Sequence, residues 1–155
     1  MTLDLLLHNA RLVLPDVGVT PGAVGVKDGR IAAILAPDAT LPAAETVDCG
    51  GLWLMPGLVD PHVHFGYGSP ETDFLTEARS AALGGVTSVL SFHRSADPRD
   101  ALPGERDLAL GQSCIDVGFH LGITHRLHVE TLVECAKAFG ITSCKLYLQY
   151  KGQAG

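Results

Sequence analysis

The sequence has no run of lysines or arginines, few aromatic residues and no C-x-x-C pair. Its 155 residues contain 11 Lys and Arg against 17 Asp and Glu, which gives a formal net charge of −6. Phosphate backbones and anionic lipids bind clustered positive charge, so this balance argues against nucleic acid and membranes as partners. A hydrophobic fraction of 46% suffices for a substantial core. The composition therefore favours a globular protein that acts on small molecules.

The four cysteines do not form a dense disulfide framework, because Cys49, Cys114, Cys135 and Cys144 are widely separated. Small secreted domains use a closer set, so we expect reduced thiols and a cytoplasmic location. The N-terminus has no basic segment ahead of an apolar run, and the apolar stretch 51–59 is interrupted by a Pro-Gly pair. These features predict neither a signal peptide nor a membrane span.

Residues 1–55 have the pattern of β-structure. Residues 3–14 are rich in Leu and Val with polar interruptions, and Asp28-Gly29 lies between two apolar runs in residues 24–34. Asp-Gly favours the positive φ angles of a tight turn, so this segment predicts a hairpin. We expect a loop at 37–44 and a further strand at 47–54.

From residue 56 onward the pattern changes to alternating strands and helices. Strands are predicted at 58–65, 86–92, 115–123 and 141–150, and helices at 73–83, 99–112 and 129–139. Repeated βα units indicate the α/β class with a parallel sheet. An open edge of such a sheet is exposed, so a chain that stops after its fourth strand is either a small open domain or part of something larger. The composition leaves both possibilities open.

The segment PGLVDPHVH, residues 56–64, is the sharpest motif. Residues i and i+2 of a strand face the same side, so His62 and His64 project together with Cα atoms about 6.6 Å apart. Two imidazoles so placed can hold one metal ion, and the carboxyl end of a parallel strand is where α/β folds place their sites. Asp60 shares this parity and is a candidate to orient a histidine. The alternative is a surface strand with two solvated histidines.

Lys145 is the second feature, because it lies within the apolar strand predicted at 141–150. Burial of an ammonium group is costly, which favours the neutral amine. A neutral amine can act as a nucleophile, or it can take up carbon dioxide and become a carbamate that bridges two cations. The alternative is a lysine whose stem packs on the sheet and whose head group reaches water.

The remaining histidines carry weaker signals. His93 follows the second predicted parallel strand and His120 lies in the third, so either is a candidate to line the same mouth. His125 and His128 follow the third strand, and His8 lies in the N-terminal β region. A single histidine is more often a hydrogen-bonded structural residue.

Together these residues resemble the cyclic amidohydrolases, and within them the dihydropyrimidinase and hydantoinase branch. The resemblance extends over all 155 residues. Its specific parts are the Pro-Gly-x-x-Asp-x-His-x-His motif and the lysine strand. Supporting parts lie at 26–30, 73–74, 84–87 and 116–120.

The resemblance implies the first half of a (β/α)8 TIM-type barrel, preceded by an N-terminal β-sandwich segment. Residues 1–55 would form part of a composite sandwich and residues 56–155 the first four βα units. His62 and His64 would bind one of two divalent metal ions, usually zinc, and a carboxylated Lys145 would bridge both. Tyr150, five positions after the lysine, would hydrogen-bond the substrate carbonyl oxygen and the developing oxyanion.

The implied reaction is hydrolysis of a cyclic amide C–N bond, which opens a dihydropyrimidine or hydantoin ring to an N-carbamoyl amino acid. Two cations about 3.5–4 Å apart generate a hydroxide that attacks the ring amide carbon. In the family, two further metal-binding histidines and a general-base aspartate come from strands five, six and eight. We therefore expect a truncated chain that is inactive alone, and a full-length homo-oligomer, since the family is often tetrameric.

The motif also bears on the substrate. A dihydroorotase usually has an arginine shortly after its H-x-H, which holds the substrate carboxylate. Here Phe65-Gly-Tyr-Gly-Ser follows the motif instead. Allantoinases usually lack the tyrosine after the lysine. Both departures favour an uncharged cyclic ureide or imide. Four alternatives stay open: an allantoinase, a dihydroorotase-type enzyme, a non-catalytic scaffold of the same superfamily, and a small α/β binding domain.

Overall fold

The computed structural model of the protein describes residues 2–147. The chain divides into two compact units, Met1–Pro56 and Gly57–Gly155. The boundary between the units lies after Pro56, one residue later than the boundary predicted after residue 55. That the two segments belong to a composite sandwich and to a barrel stays a prediction.

The first unit is a five-stranded sheet. Its strands are β1 (Leu3–Leu14), β2 (Gly18–Lys27), β3 (Arg30–Leu35), β4 (Ala43–Asp48) and β5 (Trp53–Leu54). The order is β3-β2-β1-β4, and β5 also pairs with β1. β2 is antiparallel to both of its neighbours, whereas β4 and β5 run parallel to β1.

The hairpin predicted around Asp28-Gly29 is confirmed. β2 and β3 pair on either side of these residues, whose φ angles are 51° and 69°. Positive φ at both central positions is what a tight two-residue turn requires. The predicted loop at 37–44 is too long at its end, because β4 already begins at Ala43.

The single strand predicted at 47–54 is wrong. β4 ends at Asp48, and a turn with Gly50 and Gly51 at φ 59° and 78° separates it from β5. The Asp48 carboxylate accepts a hydrogen bond from the Gly50 backbone N–H at 2.8 Å, which stabilises the turn. The two glycines therefore divide an apolar run that looks continuous in sequence.

The second unit alternates strands and helices around a parallel sheet, as predicted. Its elements are β6 (Leu58–Val63), α1 (Asp73–Leu83), β7 (Val86–His93), α2 (Pro98–Gln112), β8 (Asp116–Ile123), α3 (Arg126–Phe139) and β9 (Cys144–Leu146). The sheet order is β6-β7-β8-β9, all parallel. The described part of the fourth strand is shorter than the predicted 141–150, whose last three residues lie outside the described residues.

Two clusters of buried apolar side chains join the helices to this sheet. The first contains Phe74 and Ala78 of α1 with Val89 of β7, and the second contains Leu102 of α2 with Leu121 of β8. Burial of these side chains supplies most of the driving force that holds the helices on the sheet. Within residues 2–147, no helix is both long and apolar enough to span a bilayer.

Candidate active site

The parallel register brings residues from all four strands to one end of the sheet. Val63 pairs with Ser91, Phe92 with His120, and Gly122 with Lys145. Carboxyl ends of parallel strands meet at the same edge, so the H-x-H segment, the end of β7 and the lysine of β9 are neighbours there.

The three predicted metal-site residues within the described range are brought together. Lys145 Nζ lies 3.3 Å from His62 Nε2, and the His62 and His64 ring centroids are 5.3 Å apart. Lys145 is half-buried, whereas both histidines are exposed at the mouth. The Asp60 carboxylate accepts a hydrogen bond from the His62 backbone N–H at 3.0 Å, so it fixes the main chain at the motif.

Phe92 lies at the centre of these groups. Its buried ring has centroid distances of 4.7 Å to His62 and 5.0 Å to His120. Lys145 Nζ lies 4.4 Å from the Phe92 ring centroid, within the range of a cation–π contact. The Phe92 ring is thus the apolar surface that His62, His120 and Lys145 contact.

The electrostatic environment favours neutral imidazole at His64. Partial desolvation of the His64 ring lowers its pKa, and the charges of His62, Lys145 and Arg94 lower it further. Every charged neighbour in this set is basic. Neutral imidazole is the form that binds metal ions, so the environment prepares the ring for coordination.

The donor atoms fit a metal ion in part. The imidazoles of His62 and His64 are nitrogen donors of the kind that zinc accepts, and Lys145 Nζ lies 3.3 Å from His62 Nε2. A carboxylate group formed on Nζ would therefore add oxygen donors beside the histidines. In the part of the chain that the structure describes, no group of three or more His, Cys, Asp or Glu side chains is placed to hold a metal.

The other candidate histidines have structural hydrogen bonds. His120 lies at the mouth, with Nδ1 bonded to the Ser143 hydroxyl and Nε2 3.1 Å from the Pro61 carbonyl oxygen. It therefore ties β8 to the H-x-H segment. His128 Nδ1 accepts from the Thr124 backbone N–H at 3.1 Å, and its other nitrogen donates to a carbonyl oxygen.

His93 is buried, and its ring bonds residues of α2 and of the segment after β7. Its Nδ1 bonds the Glu105 carboxylate of α2, and its Nε2 lies 2.7 Å from the Ser95 hydroxyl. The Ser95 carbonyl oxygen accepts from His128 Nε2 at 2.7 Å. These bonds connect the segment after β7 to α2 and α3, and they hold that segment beside the site.

Sequence reasoning missed three residues at the mouth: Tyr67, Phe92 and Arg94. The Tyr67 ring lies 4.9 Å from the His64 ring, and Arg94 Cζ lies 4.4 Å from the Tyr67 ring centroid. The sequence signal that could have found them is their position near the carboxyl end of a parallel strand. Tyr67 follows β6, Phe92 lies near the end of β7, and Arg94 follows β7. Tyr150, predicted to bind the substrate, lies outside the described residues, and its role stays a prediction.

The chain is similar in sequence to proteins named hydantoinase and allantoinase. No protein-family model matches the chain. It is 34% identical over 160 residues to a D-hydantoinase from Rhizobium radiobacter, covering 97% of this chain and 34% of that protein. It is 39% identical over 123 residues to an allantoinase from Streptomyces avermitilis, covering 75% of this chain and 27% of the relative. The chain thus spans about a third or less of the length of these relatives.

A solved structure shows the same fold. An L-hydantoinase (dihydropyrimidinase) from Arthrobacter aurescens matches with a TM-score of 0.84 and 28% identity, over 99% of this chain and 35% of that one. The parallel sheet and these relatives define the class of protein: the chain belongs to the cyclic amidohydrolase superfamily. Within it, the chain belongs to the hydantoinase branch.

Proposed function

We propose that the full-length protein hydrolyses a cyclic amide C–N bond and opens a hydantoin or dihydropyrimidine ring to an N-carbamoyl amino acid. The observation that carries the proposal is the convergence of His62, His64 and Lys145 at the carboxyl end of the parallel sheet. Similarity to hydantoinases over nearly the whole chain supports it. A (β/α)8 barrel, a homo-oligomer such as a tetramer and a cytoplasmic location belong to the same proposal.

Two divalent metal ions, with zinc tested first, fit this reaction. His62 and His64 would hold one ion, and a carboxylated Lys145 would bridge both. When bound, such a pair polarises the substrate carbonyl and lowers the pKa of a bound water toward neutrality. A complete shell takes further donors from outside residues 2–147, so we expect the 155-residue chain alone to be inactive.

Carboxylation of Lys145 has a physical basis in this site. The reaction forms a bond between Nζ and the carbon of carbon dioxide and releases one proton. Lys145 Nζ lies 3.3 Å from His62 Nε2, so a carboxylate group formed on it would lie beside a predicted metal ligand. The product is an anion among groups that are otherwise basic, so charge as well as position favours the modification.

Tyr150 completes the proposed substrate contacts. It would donate a hydrogen bond to the substrate carbonyl oxygen as negative charge develops there. This role rests on the resemblance. An allantoinase-type reaction is the second candidate, because one allantoinase is 39% identical over 75% of this chain.

The experiment is metal analysis of the full-length protein together with turnover of hydantoin and dihydrouracil. We expect about two equivalents of metal per chain and hydrolysis of at least one ring. His62→Asn and His64→Asn should each lower metal content and abolish turnover. His8→Asn is the matched control, since His8 lies on β1 of the first unit, and it should leave both quantities unchanged.

Two outcomes would overturn the proposal. A full-length protein that binds no metal and hydrolyses no ring is a scaffold rather than an enzyme. Metal content that is unaffected by His62→Asn and His64→Asn places the metal elsewhere. Mass spectrometry of the intact protein under native conditions tests the lysine separately, since a carbamate adds the mass of carbon dioxide and Lys145→Met removes it.

A further inference from the structure

We propose that Arg94 binds a carboxylate on the ring substituent of the substrate, so that the enzyme acts on acidic cyclic ureides. The inference rests on the proposed function and specifies its substrate class. It revises the expectation of an uncharged ring, because the search for an arginine that could hold a substrate carboxylate covered only the residues directly after the H-x-H motif. The fold brings an arginine to the motif from the neighbouring strand.

Arg94 lies close to the H-x-H motif. Arg94 directly follows β7, and its Cζ lies 4.4 Å from the Tyr67 ring centroid. The Tyr67 ring in turn lies 4.9 Å from the ring of His64. The Tyr67 ring therefore contacts both the guanidinium and His64, a predicted metal ligand.

The side chain of Arg94 is also held in place. An ideal Cβ built on Gly122 of β8 would lie 2.8 Å from Arg94 Cγ, so the absence of a side chain at Gly122 makes room for the arginine stem. The guanidinium rests on the face of the Tyr67 ring, with Cζ 4.4 Å from the ring centroid. A cation fixed in this way loses little conformational freedom when it binds an anion.

The charge of Arg94 is not neutralised within the described range. Among residues 2–147 no carboxylate lies within ion-pair distance of its guanidinium. Glu105 lines the same cavity but bonds His93 Nδ1 instead. A planar guanidinium with no carboxylate partner among residues 2–147 matches the geometry of a substrate carboxylate, which it can bind through two parallel hydrogen bonds.

A cavity beside Arg94 accommodates the arm that would carry this carboxylate. Its volume is about 250 Å³, and its walls include Tyr67, Phe74, Leu108 and Arg94. Its polar lining includes Glu105, which bonds His93, while Arg94 is a cation with no carboxylate bonded to it among residues 2–147. The apolar part of the lining suits a short aliphatic chain that ends in an acid beside Arg94. The substrate class is therefore a cyclic ureide with a carboxyalkyl substituent.

The test compares two hydantoins that differ only in charge, 5-(2-carboxyethyl)hydantoin and its carboxamide, with the metal-loaded full-length protein. We expect wild type to have a kcat/KM at least tenfold higher for the carboxylate. Arg94→Met should lower kcat/KM for the carboxylate about 10- to 100-fold, mainly through KM, because a hydrogen bond to a charged group is lost. The same variant should change kcat/KM for the carboxamide by less than about threefold.

Two variants control the interpretation. Arg94→Lys keeps the charge but not the planar fork, so it should recover only part of the carboxylate preference. Arg79→Met removes an exposed arginine from α1 and should leave both rates unchanged. Methionine preserves the apolar stem at position 94, and thermal unfolding should show the variant to be folded.

The inference is overturned if wild type hydrolyses both hydantoins equally, or if Arg94→Met lowers both rates alike. Titration calorimetry with the same two compounds measures their binding to wild type and to Arg94→Met independently of turnover. Tighter binding of the carboxylate to wild type than to Arg94→Met supports the role of Arg94 even if neither ring is opened. Failure of turnover alone therefore counts against the proposed function, and equal binding counts against Arg94.

Discussion

The two units of the chain obtain their structure from different kinds of contacts. In Met1–Pro56 the β1-β2 and β2-β3 pairs are hairpins between strands adjacent in sequence. In the second unit every strand pair is parallel and is separated by a helix, so each contact between strands spans a long stretch of chain. The comparison shows that local turn chemistry accounts for the two hairpins of the first sheet, whereas the parallel pairs of β1 with β4 and β5 and the mouth of the second sheet require long-range register.

The buried cores differ in the same way. The buried apolar side chains of the first unit are few, with Leu3, Leu6 and Ala23 as the central cluster, and Ile31 and Ile34 of β3 stay exposed. The second unit has two larger clusters that include fully buried Phe74 and Leu102. The predicted metal-site residues belong to the second unit, so damage to its core should damage the site as well.

The largest expected effect is that of Phe74→Ala in the second unit. Phe74 is 0% exposed and its ring packs at 6.1 Å from Phe65, the residue that follows the H-x-H motif. Loss of this side chain should cost about 3–5 kcal/mol of unfolding free energy, because a cavity remains. Denaturant unfolding measures the loss, and hydrogen exchange at β6 and β7 shows whether the strands of the site open.

Leu3→Ala provides the comparison in the first unit, where the side chain is 1% exposed. It should cost about 2–5 kcal/mol and increase exchange in β1 and β2. If Phe74→Ala left exchange in β6 and β7 at wild-type rates, the claim that the second core supports the site would be wrong.

A smaller effect is expected from Gly57→Ala, at the start of the H-x-H segment. A Cβ at this position would overlap the side chain of Thr87 on β7. Relief requires movement of one strand against the other, so we expect a loss of about 1–3 kcal/mol. In the first unit, Gly25→Ala would meet only the end of the Leu3 side chain at 2.7 Å, and its cost should be lower.

Gly104→Ala is the matched control for these glycine substitutions. Gly104 lies within α2, and a Cβ there would meet nothing within 4 Å. Alanine is the better helix former, so this variant should gain about 0.5–1 kcal/mol. Equal losses from Gly57→Ala and Gly104→Ala would contradict the steric argument.

The smallest effect concerns the pH dependence of the α2 N-terminus. Side-chain and backbone hydrogen bonds from Arg99 lower the pKa of Asp97 to about 2. Because the folded-state pKa lies below the unfolded value of about 3.9, the carboxylate stabilises the fold above roughly pH 4, and this stabilisation disappears as the pH falls toward 2. Asp97→Asn keeps a capping oxygen but no charge.

Thermal unfolding at a series of pH values checks this prediction. Wild type should be the more stable protein near pH 6, and the difference from Asp97→Asn should shrink as the pH falls below about 4. A difference that does not depend on pH would mean that the charge of Asp97 contributes nothing to stability.

Much of the fold follows from local patterns. Asp28-Gly29 predicted its hairpin because the turn depends on two residues, and the helices were found within a few residues because their apolar spacing and caps are local. The strand predicted at 47–54 failed for a local reason as well, since Gly50 and Gly51 interrupt it. The fourth strand begins at Cys144 and not at the predicted residue 141, because an apolar run does not specify where pairing begins.

The candidate site was only partly predictable. The spacing of His62 and His64 fixed their common side, and an apolar neighbourhood singled out Lys145. Neither pattern indicated that Phe92 lies between these groups, or that the His93 ring bonds Glu105 of α2. Side-chain direction near the end of a strand depends on register and on local irregularity, which a single sequence does not show.

The sequence by itself determined the α/β alternation, the H-x-H motif and the presence of a lysine in an apolar strand, because these depend on residue type and short spacing. Only the tertiary structure decided which side chains meet. The parallel register placed Lys145 3.3 Å from His62 across 83 residues of chain, and it brought Arg94 over Tyr67 beside the motif. Contacts of this kind depend on the packing of whole strands and helices, since no local pattern encodes the distance between residues on different strands.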